Sequence, residues 1–245
     1  MNIKKLTAIA AAAAVLTLSA ACGSSQSSPT SVSAPENATM PTYSNDITAA
    51  EDGPKLMFTN VEAAAGETAE VSLIVSGAAK NWTMCGLHVT FGDELECVMD
   101  DPTQNFIEYE LGPASKRSTL SVGMLWTNSL PEELTKNHLG CLFFTETFDG
   151  DNGGDGEIVK FFFKVPEKAK KGTVYPIGIY YMPPDDIRSD MFRNSTGDLS
   201  LEKYAFENWT GGSINFTLSN FSVHCSKYSH IPSNSLHIQN TFSLE

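Results

Sequence analysis

One short turn holds the acidic side chains that are the best candidates for metal chemistry in this 245-residue chain. They are Asp149, Asp151, Asp155 and Glu157. An EF-hand calcium loop needs glycine at its sixth position and glutamate at its twelfth. Counted from the first of these acids, the sixth position is Gly154 but the twelfth is Lys160. We therefore predict a hairpin turn here and no metal site.

The motifs of common hydrolases and phosphate-binding enzymes are missing from the sequence. It contains no Gly-rich phosphate loop, no G-x-S-x-G and no H-E-x-x-H. The five histidines are scattered, and nothing selects two carboxylates as the acid and base of a glycosidase. We predict that the protein has no catalytic residues and is not an enzyme.

Four cysteines follow the N-terminal region, namely Cys85, Cys97, Cys141 and Cys225. They form no C-x-x-C pair and have no histidine at zinc-ligand spacing, so a zinc site is not predicted. Four cysteines allow three disulfide pairings, and their spacing selects none. The first three fall in apolar segments, where a buried free thiol is the default.

Alternating apolar and polar residues predict that β-strands position these side chains. Between Gly154 and Tyr181, Val159, Phe161 and Phe163 alternate with more polar neighbours, which is typical of a strand with one buried face. Nine such strands are predicted, at 56–61, 69–75, 82–91, 95–99, 118–126, 139–148, 158–165, 175–181 and 212–218. Helical turns are predicted at 131–136 and 199–206. The fold class is therefore all-β, a sandwich of Ig-like appearance.

The N-terminal region indicates export. Lys4 and Lys5 precede an apolar run and a few small residues, so residues 1–21 are predicted to be a signal peptide. The next residue, Cys22, lies where a bacterial lipoprotein carries its lipid, and we predict a lipid anchor on the outer side of the cell membrane. The alternative is a secreted protein in which Cys22 is a bystander.

Composition divides the rest of the chain into three parts. Residues 22–54 are rich in Ser, Thr, Ala and Pro and are predicted to be a flexible tether. Residues 55–219 form the predicted β-sandwich, and residues 220–245 a C-terminal tail. The net charge of −13 argues against nucleic acid as a partner.

Four segments of the predicted sandwich resemble, in order, the strands of cohesins, the receptor modules of cellulosomes. The segments are GETAEVSLIV from Gly66, MCGLHVTFGDELECV from Met84, GDGEIVKFFFKVPEKAKKGTVYPIGIYY from Gly154 and GGSINF from Gly211. The resemblance implies a nine-stranded jelly-roll β-sandwich that binds dockerins, the small calcium-loaded modules of enzymes and scaffold proteins. Any calcium is expected on the dockerin, so this chain needs no cofactor and acts as a monomer that anchors its partner to the cell envelope.

The resemblance also implies where a dockerin would bind, namely across the third, fifth, sixth and eighth strands of one sheet. Residues matched to outward positions there are Met84, Gly86, His88 and Thr90 on the third strand, Met124 and Trp126 on the fifth, and Phe143 and Thr145 on the sixth, with Glu146 at the turn edge. Type I cohesins carry Asn and Asp where this chain has Met84 and Gly86. We therefore expect a class of recognition that diverges from type I.

Other interpretations remain open at this stage. A one-residue shift in register would place Phe143 or Trp126 in the core instead. The loop after the eighth strand carries Asp185, Asp186 and Asp190, which would either cover a sheet edge or rim the interface. A carbohydrate-binding module is the alternative function and would show Trp82, Trp126 and Trp209 in an exposed strip. A third hypothesis is an unrelated solute-binding or adhesion lipoprotein.

Overall fold

Two sheets, antiparallel except for one parallel pair of strands, face each other and bury the apolar side of each strand between them. The structure is a computed structural model that describes residues 39–44, 46–79, 81–182 and 189–218. The predicted signal peptide, Cys22, the first part of the tether, Asp185, Asp186 and the tail with Cys225 lie outside the described residues. No helix in the described part of the chain is long and apolar enough to cross a membrane.

Fourteen strands and two α-helices make up the described chain. The strands are β1 (Lys55–Phe58), β2 (Asn60–Ala63), β3 (Thr68–Ser76), β4 (Met84–Gly92), β5 (Glu96–Cys97), β6 (Met99–Asp101), β7 (Phe106–Ile107), β8 (Tyr109–Leu111), β9 (Ser118–Leu125), β10 (Leu139–Phe148), β11 (Gly156–Lys164), β12 (Val174–Ile179), β13 (Met191–Arg193) and β14 (Gly212–Phe216). The helices are α1 (Glu132–Lys136) and α2 (Leu199–Glu207), and a 3-10 turn covers Pro113–Ser115. The two predicted helical turns are thus confirmed.

The strands form a long sheet and a short sheet. The long sheet has the order β2-β14-β12-β4-β10-β9-β7-β6, and β13 also pairs with β4. The short sheet has the order β1-β3-β11-β5, and β8 pairs with β11. Leu87 and Phe144 of the long sheet and Val71 and Phe161 of the short sheet are all buried in one core. Each such side chain contributes about 1.5–3 kcal/mol when it leaves water. The predicted all-β sandwich is confirmed.

The first predicted strand, 56–61, is divided between the two sheets. β1 pairs with β3 in the short sheet, whereas β2 pairs with β14 in the long sheet. At Thr59 between them, the backbone N–H donates to the Ser72 carbonyl and the side-chain hydroxyl accepts from the Ser72 N–H. These two bonds satisfy the backbone where the chain changes sheets.

The acidic turn uses its carboxylates to bind protein groups. Asp155 accepts the Ala78 N–H at 2.8 Å, and Asp151 accepts both the N–H and the hydroxyl of Ser195. Glu157 accepts the Ser72 hydroxyl. Within the described ranges, no group of three or more His, Cys, Asp and Glu side chains has the arrangement of a metal site.

Folded structure begins ahead of residue 55, the boundary expected from composition. Tyr43 is buried and packs against Phe206 at 5.8 Å and Tyr181 at 4.9 Å between ring centroids. Its hydroxyl donates to the buried carboxylate of Glu202 at 3.0 Å, and that carboxylate also binds Arg193 at 2.5 Å. Residues 40–54 therefore belong to the sandwich in part, and the predicted tether is too long at this end.

The described domain begins and ends at the same end of the sandwich. Asn137, which follows α1 and precedes β10, approaches the Met40 sulfur at 3.9 Å. The start of β10 pairs with the end of β4 at Gly92. The end of β14 lies there too, because the Phe216 N–H donates to the Thr173 carbonyl just before β12.

Candidate functional site

Three neighbouring strands, β9, β10 and β4, bring most of the predicted binding residues to one face of the long sheet. Directly opposed residues form rows across these strands. The rows are Met124–Phe143–His88, Val122–Thr145–Gly86 and Leu120–Thr147–Met84. Opposed residues of an antiparallel pair project to the same side of a sheet. Leu142, Phe144 and Phe148 on the alternate positions of β10 are buried, so these rows face outward.

The outward rows include two of the exposed large apolar side chains of the described chain, Leu120 and Met124. We define the outer patch as Met84, Leu120, Val122, Met124, Phe143 and Thr145. Leu120 is 58% exposed and Met124 is 37% exposed, whereas Met84 and Phe143 are half-buried. The predicted orientation of Met84, Met124, Phe143 and Thr145 is therefore observed, while binding of a partner by them stays a prediction.

Gly86 allows two side chains to close over β4. A Cβ atom added at this residue would lie 3.3 Å from Cγ of Met191 and 3.8 Å from Cε2 of Phe143. A side chain here would push both away, and with them the edge strand β13 that carries Met191. Gly86 is thus buried below the outer patch and shapes it without presenting a side chain to a partner.

The predicted position of His88 at the surface is wrong, because the side chain is fully buried below the outer patch. Its ring lies 4.8 Å from that of Phe143 and 5.2 Å from that of Trp126, centroid to centroid. Its Nδ1 lies 2.7 Å from Oδ1 of Asp190, a residue of the excursion between β12 and β13. His88 therefore supports the two aromatic rings from below.

Asp190 fixes this excursion to the sheet. Its carboxylate accepts the backbone N–H of His88 at 2.9 Å and that of Met182 at 3.0 Å, in addition to the His88 ring. Burial raises the pKa of Asp190 to about 6, and the hydrogen bond from His88 opposes that rise. Of the two expected roles for these acids, Asp190 covers the sheet and does not rim the patch.

Thr90 and Trp126 lie under a second apolar cluster at the end of the outer face. This cluster consists of Leu134, Cys141 and Tyr180, with Met40, Trp126, Leu130, Leu139 and Met182 packed around them. Thr90 pairs with Cys141 and is buried, so its predicted contact with a partner is wrong. Trp126 is half-buried, and its Nε1 donates to the Asn128 carbonyl at 2.7 Å.

Glu146 lies on the opposite side of β10, so its predicted place at the interface is wrong. It shares the inner face with Phe144 and Phe148 and is fully buried. The Ser115 hydroxyl lies 2.8 Å from Oε1 of Glu146 and 2.8 Å from the Ile158 carbonyl. The hydroxyl donates to both of these oxygens. Burial raises the pKa of Glu146 to about 7, and the hydrogen bond from Ser115 opposes that rise.

The three cysteines in the described chain are free, and their environments make them unreactive. Cys85 and Cys141 are buried and Cys97 is half-buried. Burial raises the pKa of Cys97 to about 12 and raises those of Cys85 and Cys141 as well. The thiolate is the reactive form, so these side chains act as small apolar residues of the core.

The alternation in strand 118–126 also predicts two further residues of the outer patch. Leu120 and Val122 lie at positions two apart from Met124 and therefore share its face. The contribution of Met191 had no comparable signal, because β13 has three residues and follows a long excursion.

Comparison with solved structures supplies the fold family. The type III cohesin module of the ScaE cell-surface anchoring scaffoldin of Ruminococcus flavefaciens superposes with a TM-score of 0.57 at 20% identity. The match covers 73% of this chain and 99% of that module. The chain has the cohesin fold. The predicted jelly-roll sandwich is thereby confirmed.

Another cohesin has a lower structural similarity to this chain, and comparison of sequences alone finds no relative. The sixth cohesin of scaffoldin B from Acetivibrio cellulolyticus, solved with a Cel5 dockerin, has a TM-score of 0.47 and 18% identity, over 68% of this chain and all (100%) of that one. No family model matches this sequence. No curated protein matches it either. The cohesin fold is therefore evident here from structure and not from overall sequence similarity.

Proposed function

We propose that this protein is a non-catalytic cohesin that binds the dockerin module of an enzyme or scaffold protein through the outer patch. The observation that carries the proposal is the exposed apolar surface of Leu120 and Met124, beside half-buried Phe143, on one sheet of a cohesin fold. A protein interface needs a few large apolar anchors that are desolvated on binding. A monomeric domain gains no stability from leaving such side chains in water.

The alternative function, carbohydrate binding, has no observation in its favour. It needs a flat strip of exposed aromatic rings. Trp82 is buried and packs against Phe148 at 4.8 Å and Phe192 at 5.1 Å, so it takes no part in such a strip. Among the described residues, two tryptophans lie on the outer face, Trp126 beside the His88 ring and Trp209 over Gly178 of β12, and both are half-buried rather than exposed.

Isothermal titration calorimetry of residues 23–245 against a panel of dockerins tests the proposal. The lipidated cysteine is omitted to keep the protein in solution. We expect at least one dockerin to bind with one-to-one stoichiometry in calcium and to lose binding in chelator, because calcium folds the dockerin. Soluble polysaccharides should give no heat. Binding of a polysaccharide with no response to any dockerin would overturn the cohesin proposal.

We also propose that lipid on Cys22 holds the module on the outside of the cell membrane. The support is the sequence of the signal peptide and the Ser- and Thr-rich segment that follows it. Metabolic labelling with a fatty acid should mark the full chain, and Cys22→Ala should abolish the label and release the protein. An unlabelled full chain recovered in the medium would show that the protein is secreted without an anchor.

A further inference from the structure

One ring nitrogen below the outer patch lacks a hydrogen-bond partner. The Nε2 atom of His88 is buried and has no partner among the residues that the structure describes. A buried polar atom without a partner is destabilising, and native proteins hold few of them. This one lies directly under the surface to which the proposed function assigns the partner.

The neighbours of His88 determine what this nitrogen can do. Asp190 receives the His88 Nδ1 contact at 2.7 Å on an oxygen that also accepts the His88 backbone N–H. Its other oxygen accepts the Met182 N–H. A carboxylate held by these donors is an acceptor, so Nδ1 carries the ring proton. In the neutral ring, Nε2 is then a bare acceptor that requires a donor from elsewhere.

The cover over His88 consists of two aromatic rings that a partner can reach. The rings of Phe143 and Trp126 lie 4.8 Å and 5.2 Å from the imidazole, and both side chains are half-buried. Because Nε2 is buried, a partner reaches it only if the Phe143 or Trp126 side chain rotates away.

The charge below the patch favours a cationic donor. Asp190 is buried, and its carboxylate contacts the His88 ring and two backbone N–H groups. With a neutral His88, the buried pair keeps a net negative charge. The faces of Phe143 and Trp126 attract cations as well. The whole chain carries a net charge of −13, which draws a basic partner toward it.

We infer that His88 determines specificity for the bound partner, because its Nε2 accepts a hydrogen bond from a lysine or arginine side chain of that partner. This side chain lies between Phe143 and Trp126. The inference rests on the proposed function and adds the chemistry of the partner. It also explains why a histidine occupies the centre of an apolar patch, where leucine would pack without an unpaired atom.

His88→Asn is the deciding variant, because the asparagine amide can take the place of Nδ1–H toward Asp190 but has no atom at Nε2. Calorimetry with the dockerin that the wild type binds should show affinity about 10- to 100-fold weaker for a variant that remains folded. His138→Asn is the matched control. His138 also faces an aspartate, at 3.5 Å from Asp93, but its side chain is 78% exposed. This control should bind as the wild type does.

A double-mutant cycle identifies the donor on the partner. Each lysine and arginine of that dockerin is replaced by methionine, and one replacement should lose its effect in the His88→Asn background. Additive effects for every pair, or wild-type affinity of His88→Asn, would overturn the inference while leaving dockerin binding intact. If the wild type binds no dockerin, the proposed function fails and the inference falls with it.

Nitrogen NMR of the histidine ring keeps the inference testable if His88→Asn does not fold. In the free wild-type protein, Nδ1 of His88 should carry the proton and Nε2 should resonate as an unprotonated acceptor. The Nε2 resonance should move in the direction of a hydrogen-bonded nitrogen when the dockerin is added. A proton found on Nε2 in the free protein would refute the assignment.

Discussion

The outer faces of the two sheets present different chemistry to solvent. On the short sheet, Lys160 lies between Glu70 at 3.1 Å and Glu110 at 3.8 Å. Lys164 of the same strand pairs directly with Glu96 of β5. On the long sheet, the corresponding surface carries Leu120, Met124 and Phe143. The short sheet thus presents ion pairs beside exposed Met57, whereas the long sheet presents the outer patch.

This difference follows from the cost of moving each kind of surface out of water. Charged pairs such as Lys160 with Glu70 contribute little while exposed and must lose their hydration in a complex. Apolar side chains such as Leu120 are released from water when a partner covers them. The short sheet thereby resists association, and the long sheet favours it.

The largest expected effect is on dockerin affinity, and it is tested by comparing one methionine on each sheet. Met124→Asp on the long sheet should weaken dockerin binding by about 100-fold or more, because it puts a charge at a desolvated contact. Met57→Asp on the short sheet is the matched control, since Met57 is 44% exposed and Met124 is 37% exposed. Calorimetry compares the two variants. Equal losses of affinity would remove the distinction between the faces.

A second prediction separates the two sides of β10. Glu146→Gln should leave dockerin affinity unchanged, because this side chain lies in the core. The folded-state pKa is raised to about 7 from an ordinary 4.5, so the folded protein keeps a proton that the unfolded chain releases between these values. Wild-type stability should therefore fall as pH rises from 4.5 to 7, by on the order of 2–3 kcal/mol from this group.

Urea unfolding at pH 5 and pH 8 measures this effect. Glu146→Gln cannot titrate and should lose that part of the pH dependence, so that it gains on the wild type at pH 8. An unaltered pH profile would contradict the raised pKa of Glu146. A loss of dockerin affinity in the folded Glu146→Gln variant would instead show that Glu146 contributes to the interface.

A third prediction concerns the segment before residue 55 that packs beside the long sheet. Tyr43→Phe removes the hydroxyl that donates to buried Glu202 and keeps the ring contacts. We expect a loss of about 2 kcal/mol of unfolding free energy, because the acceptor is charged. Tyr109→Phe is the control: its hydroxyl meets only the neutral Ser121 hydroxyl at 3.0 Å, and its loss should be nearer about 1 kcal/mol. Urea denaturation compares them, and equal losses would contradict a charge-assisted bond.

The smallest expected effect lies on the charged face itself. Lys160→Met removes the contacts to Glu70 and Glu110 but leaves the stem packed on the sheet. Dockerin affinity should not change, and the melting temperature measured by differential scanning calorimetry should fall only slightly. A clear loss of affinity would show that the short sheet also takes part in binding.

Local patterns predicted the long strands and both helices, since these depend on residues close in sequence. The alternation in β10 and β11 and the proline before α1 are examples. The division of the first strand at Thr59 was not predicted, because its alternation runs on unbroken while the hydrogen-bond partners change. Those partners belong to β3 and β14, which are far along the chain.

The errors at the candidate site have the same origin. Glu146 alternates with Phe144 and Phe148, yet the resemblance to cohesins implied a place at the turn edge of the interface. The hydroxyl of Ser115, 31 residues away, makes its burial possible. His88 was correctly placed on the outer face of the sheet, but it is buried there. Part of that burial comes from Asp190, 102 residues away in the chain. The face of a strand to which a side chain points can be predicted from the local sequence. Its exposure to solvent cannot, because it depends on residues that pack over it from distant parts of the chain.

The first and last described residues of the domain lie at the same end of the sandwich, and this is useful for protein engineering. Met40 and Thr217 mark positions near that end, and the outer patch extends along the sheet away from it. A domain connected in this way is suited to insertion into a surface loop of another protein, because both junctions meet the host together.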